Sequence, residues 1–126
     1  MAEHPNATLF RDFDSRINSG DMSAIGDFVA DEIEWHEIGR DEPLRGKDAV
    51  IARWTSGPLA NFEFSGHTHD VIANDDHTIA LVETTVRKGD KSLTYRTAEI
   101  MHIRDGKVTA RWAFSDDTAA INAFFA

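Results

Sequence analysis

The feature that most constrains this chain is the texture of its second half. From Leu59 onward, long extended runs alternate with tight-turn clusters at Asn74-Asp75-Asp76, Lys88-Gly89-Asp90 and Arg104-Asp105-Gly106. The runs TIALVETTVR, SLTYRTAEIMHI and VTARWAF are rich in β-branched and aromatic residues, which a pleated, half-buried surface favours. Gly, Asn and Asp between such runs close antiparallel hairpins. Four strands in a meander are therefore expected. A sheet of that size must bury one face against another layer.

The first half supplies that layer. Leu9, Phe10, Phe13 and Ile17 recur at helical spacing and end at Ser19-Gly20. A second, short helix carries Ala24, Ile25, Phe28 and Val29, with Asp21 or Ser23 as cap and an end near Ala30-Asp31. Glu32 to Ile38 reads as a first strand, and Gly39 to Gly46 as a charged loop holding Pro43. A third helix buries Val50, Ile51 and Trp54 and stops at Ser56-Gly57-Pro58. A last helix over 118–125 can be capped by Asp116 or Asp117. Helices segregated from a meander define an α+β class. The whole of 1–126 is expected to form one domain, a curved sheet wrapped around a helix as a cone open at one end.

Composition excludes several functions. Thirteen Lys plus Arg against 22 Asp plus Glu give a net charge of −9, which repels phosphate backbones and anionic lipid, so neither nucleic acid nor membrane is an expected partner. No cysteine is present, which removes thiol catalysis, disulfides and cysteine metal sites. The opening MAEHPNATLF lacks a basic and then apolar leader pattern, and cytoplasmic residence is the expectation. No phosphate loop or nucleophile elbow occurs.

The order of elements, with NSGDMSAIGDFVADEIEWHEIG near the front and RDGKVTARWAFSDD near the back, resembles the nuclear transport factor 2-like superfamily, in its SnoaL-like and steroid-isomerase-like branch. The resemblance spans essentially the whole chain. It implies a cone-shaped pocket between three N-terminal helices and the concave sheet, no cofactor, and a homodimer formed through the outer sheet face. It also implies positions. The carboxylate base of the steroid isomerases falls on His36, their buried acid on Glu99, and their oxyanion-donating tyrosine on Phe13, which cannot donate. The last aspartate of the epoxide hydrolases of this fold falls on Ala113. The cyclases of the branch pair a histidine with an aspartate, roles open here to His36 with Glu99 or Asp116.

The residues themselves support a site only in part. An imidazole's pKa near 6.5 suits His36 to base catalysis, and its alternative is a strand histidine satisfied by a neighbouring carboxylate. Alternation sets Tyr95, Thr97, Glu99 and Met101 on one face of their strand. A carboxyl among apolar walls would be raised in pKa and serve as an acid. On the last strand two arguments conflict. Hydrophobicity turns Val108, Ala110, Trp112, Phe114 and Asp116 inward, whereas register with the related enzymes turns Thr109, Arg111, Ala113 and Ser115 inward. His67 and His69 share a strand face in GHTHD, a weak metal signal without a third ligand. The expected catalytic set is His36, Glu99 and Asp116. The expected pocket is Phe13, Trp35, Trp54, His69, Tyr95, Met101, Arg111 and Trp112, with no metal. The expected ligand is a small hydrophobic molecule, steroid- or polyketide-like. Isomerisation, cyclisation or dehydration by proton transfer is the leading activity, and a non-catalytic binding or interaction module is the alternative.

Overall fold

The computed structural model describes residues 3–126, with only the backbone described at Pro58. Met1 and Ala2, the first two positions of the stretch read as lacking a leader, lie outside the described residues. The chain forms α1 (Pro5–Asn18), α2 (Ala24–Phe28), β1 (Val29–Trp35), β2 (Leu44–Arg45), α3 (Lys47–Thr55), a 3-10 turn at Pro58–Asn61, β3 (Glu63–Ala73), β4 (Thr78–Lys88), β5 (Lys91–Arg104), β6 (Lys107–Ser115) and α4 (Thr118–Phe125). The six strands make one sheet in the order β2-β1-β6-β5-β4-β3. All pairings are antiparallel except β1 with β6. This is the α+β architecture expected from the meander and its helical layer.

Local chemistry explains the boundaries. Pro5 opens α1, where a missing N–H costs nothing. His4 Nδ1 accepts from Asn6 N–H while its Nε2 lies 2.9 Å from Asp75 Oδ1, fastening the helix start to the β3–β4 turn. Asp117, rather than Asp116, caps α4 by accepting from Ala120 N–H. Asp116 instead accepts from the backbone N–H of Arg96. The second helix is shorter than its periodicity suggests. Val29, Ala30 and Asp31 belong to β1, because pairing Val29 with Val108 across the sheet satisfies backbone groups that a further helical turn would have to cap. Leu44–Arg45, within the stretch read as loop, adds a short edge strand to β1.

Two bulges decide which side chains point inward. On β6 the register slips between Ile103↔Val108 and His102↔Ala110. A bulge inserts one unpaired residue and changes the phase of the face beyond it. Val108 before the slip and Arg111 after it are both buried, so hydrophobicity is right at Val108 and register is right at Arg111. On β3 the partners jump from Thr68↔Val82 to Asp70↔Leu81, making His69 the extra residue.

Two apolar clusters hold the layers together. The larger joins Ala7 and Phe10 of α1, Ile25 and Phe28 of α2, and Val50 of α3 to Val29, Ile33, Val82, Met101 and Val108 of the sheet. The smaller joins Val86, Tyr95 and Ile121, with Phe62, Phe64, Phe124 and Phe125 packed around them. The seam between the two clusters is where the cone remains open. Among the described residues no helix is long and apolar enough to cross a membrane.

Candidate active site in the cone

Two adjoining cavities with shared wall residues occupy that seam. The inner one, about 160 Å³, is walled by Phe10, Phe13, Phe28, Val82 and Met101, with Asp14, Trp35, Thr97 and Glu99 among its polar residues. The outer one, about 370 Å³, is lined by Glu37, Arg40, Arg53 and Asn122 beside Leu59, Ile121 and Phe125. Ile38, Trp54, Phe64, Tyr95 and Arg111 line both and so form the neck between them.

Arg111 is the hub. Its Nη2 and Nε donate to Glu99 Oε1 at 2.8 and 3.2 Å, and its Nη1 donates to the carbonyl of His36 at 3.0 Å. Its guanidinium stacks over the Trp35 ring at 4.4 Å, a cation–π contact that holds the fork without using a donor. The pair sits across strands, since Met101↔Arg111 and Glu99↔Ala113 are register partners on β5 and β6. Both side chains are largely buried, at 11% and 20% exposure. An ion pair this enclosed is costly to break from either side.

Asp14 faces this hub from α1. Burial raises its pKa above the ordinary carboxylate value of 3.8; a hydrogen bond from Thr68 pulls the other way, and repulsion from Glu99 adds to the rise. Thr68 Oγ1 donates to Asp14 Oδ2 at 2.7 Å and orients it. Tyr95, mostly buried, has its phenol pushed up to about 12 by burial and by Glu99; it remains a proton donor through the working range of pH. Trp35 Nε1 and Thr97 Oγ1 are fully enclosed with no protein hydrogen-bond partner, and both residues wall the inner cavity.

Several sequence expectations meet here and several do not. Glu99, Phe13, Trp35, Trp54, Tyr95, Met101 and Arg111 all line the cone. His36 does not. In the parallel β1–β6 pair Trp35 is the partner of Arg111, so alternation sends the next side chain to the outer sheet face. There the His36 ring stacks on Trp112 at 5.2 Å, and its Nε2 lies 2.7 Å from Glu34 Oε1. This is the neighbouring-carboxylate alternative, and the placement of His36 in the pocket is corrected. Trp112 is corrected with it, since the same alternation turns it outward against His36 and His102. His69, on the β3 bulge, is exposed and lines neither cavity. Asp116 is exposed and spends Oδ1 on the backbone of Arg96, also outside both cavities. Among the described residues no cluster of three or more His, Asp and Glu forms a metal site.

Asp14 and Arg53 were not singled out from the sequence, and Thr97 was read only as sharing a strand face with Glu99. A signal for Asp14 existed: it stands one turn from Phe10 and Ile17, within the apolar stripe of α1, where a carboxylate has no place unless it is used.

A family model described as SnoaL-like domain matches residues 10–111. No curated protein matches the sequence significantly. Solved structures share the fold over nearly the whole chain. Bal32a, from a soil-derived mobile gene cassette, superimposes with a TM-score of 0.80 at 22% identity, covering 96% of each chain. An NTF2-like protein of unknown function from Burkholderia pseudomallei gives 0.83 at 16% identity, covering 98% of each. IdmH of Streptomyces antibioticus, a candidate polyketide cyclase, gives 0.75 at 15% identity, covering 98% of this chain and 100% of its own.

Proposed function

The chain belongs to the SnoaL-like domain family, and on that premise we propose that its cone binds a small, mainly apolar carbonyl compound and moves protons on it, with the protein's own side chains as acid and base. The observation that carries this reading is Asp14, a carboxyl of raised pKa oriented by Thr68 in a small cavity walled mainly by aromatic and aliphatic side chains, which Tyr95 also lines.

The division of labour follows from the chemistry. Asp14, whose pKa burial raises, is the acid–base group. Tyr95, which lines the same cavity and keeps its proton, supplies a neutral donor for a developing enolate oxygen. Preformed donors of this kind are typically worth about 3–4 kcal/mol apiece in acyl-transfer enzymes. Glu99 and Arg111 bind one another and hold the wall in register. Proton removal next to a carbonyl followed by reprotonation elsewhere is isomerisation; followed by carbon–carbon closure or loss of water it is cyclisation or dehydration. The similarity of fold to IdmH supports the cyclase end of that range.

Size restricts the ligand. A cavity of about 150 Å³ accepts one benzene, so the inner chamber of about 160 Å³ holds a single ring. A second ring must lie in the neck against the Trp54 and Phe64 wall or beyond it. The test is exchange of the α-protons of 2-tetralone in deuterated water. Wild-type protein is expected to accelerate exchange, and Asp14→Asn to slow it by roughly 10²-fold or more while binding persists. Binding without any acceleration would instead support the second reading, a ligand-holding module, which is favoured by the phenylalanine at Phe13 and the alanine at Ala113, both incapable of proton transfer.

The outer sheet face is proposed to join two copies. Phe114 and Ile72 are 61% and 57% exposed on it, beside the Trp112, His36 and His102 rings. Apolar surface of this kind marks an interface more often than free surface.

A further inference from the structure

The outer chamber gathers cationic side chains in an acidic molecule. Its lining includes Arg40, Arg53 and Arg111 beside Glu37 and the last residue, Ala126, in a chain of net charge −9. Arg111 is spent on Glu99 and the His36 carbonyl. Arg53, in the last turn of α3, is not. Its Nε donates to both oxygens of Glu37, at 3.0 and 3.2 Å, whereas its two Nη groups donate to no protein acceptor among the described residues. A guanidinium carries five N–H donors in a fixed planar fork, so four remain unused on a side chain only 17% exposed. Arg40 makes no ion pair among the described residues and lines the same chamber. Asn122 of α4 lines it as well.

We propose that this outer chamber is a carboxylate subsite, so that the ligand class is a cyclic or aromatic carboxylic acid: its ring reaches through the neck into the inner chamber and its carboxylate lies on the Arg53 fork. The inference rests on the reading of the cone as a ligand site and adds the chemistry of one end of that ligand. The planar Nη pair matches two carboxylate oxygens. A monoanion is favoured over a phosphate because Glu37 sits on the same guanidinium and repels each added negative charge. Trp54 and Phe64, in edge-to-face contact at 5.2 Å, form one aromatic wall of the neck past which the ring lies.

The test compares 2-naphthoate with 2-naphthamide, which have the same ring and nearly the same shape, by calorimetric titration of the intact chain. The acid is expected to bind about tenfold more tightly, with an advantage that shrinks as salt rises. Arg53→Gln should bring the acid to the level of the amide and leave the amide unchanged. Glu37→Gln, which frees Arg53 from its internal counter-charge, should tighten the acid; a purely structural ion pair would give a loss or no change. If Arg53→Gln fails to fold, the acid–amide comparison and Glu37→Gln still decide. Equal binding of acid and amide overturns the subsite and spares the cone, whereas binding of neither sinks both. Tighter binding of naphthyl phosphate than of naphthoate overturns the choice of carboxylate.

Discussion

Asp14 concentrates the argument at the scale of one residue. Its folded-state pKa is raised, so the folded chain holds that proton more firmly than the unfolded chain does. The stability linked to it is fully present below the unfolded value of 3.8 and is lost as pH rises through the folded value. Asp14→Asn should therefore melt higher than wild type at neutral pH, and the gap should close in acid; thermal melts across pH read this directly. A variant more stable yet less active is the mark of a group kept for function. Arg111 behaves oppositely. Arg111→Met leaves Glu99 enclosed without its partner and should cost about 3–5 kcal/mol in denaturant unfolding. Adding Glu99→Gln should recover part of the loss, because the two act as a unit. Much of this was legible in sequence. Alternation alone put Tyr95, Thr97, Glu99 and Met101 on one strand face, and that face lines the cavity. His36 was misplaced because family register fixes a strand position only to within one residue, and one residue is the difference between the two faces of a sheet.

At the scale of elements, bulges carry the information that periodicity lacks. The conflict over β6 had no answer in composition, since Trp112 and Phe114 are as apolar as any core residue; the slip at Val108 reconciles both patterns. The loop after β1 shows a second local device. Gly39 has φ of +77°, and a Cβ there would stand 2.1 Å from Asn122 Oδ1. Gly39→Ala should cost about 1–2 kcal/mol from the left-handed backbone alone, and more from displacing Asn122. The double variant with Asn122→Ala should recover the contact cost and leave the backbone cost, as denaturant midpoints would show. α3 ends where the sequence said, at Ser56-Gly57-Pro58, and that stop delivers Trp54 and Arg53 together to the mouth. The short β2 was hidden by the charge and proline around it.

Taken whole, the molecule is a sheet with two unlike faces. The concave face meets three helices and keeps a divided cavity; the convex face carries a row of rings running from His36 through Trp112 and His102 to His77. If two copies join there, light scattering after size exclusion should give twice the chain mass. Phe114→Glu with Ile72→Lys should return the single-chain mass without loss of fold, since both side chains are exposed. The fold was readable because hairpin turns and helical stripes agree with one another along the chain. The site was less so, because a cavity is defined by what fails to fill it.

The central claim is that chemistry belongs to the concave face at Asp14, and that the histidine first suggested as base stands outside it. Rates of α-proton exchange on 2-tetralone by Asp14→Asn and His36→Ala, measured side by side with wild type, test this most directly. The account predicts roughly a 10²-fold or greater loss for Asp14→Asn and a wild-type rate for His36→Ala. Loss on replacing His36 with the rate preserved in Asp14→Asn would contradict it.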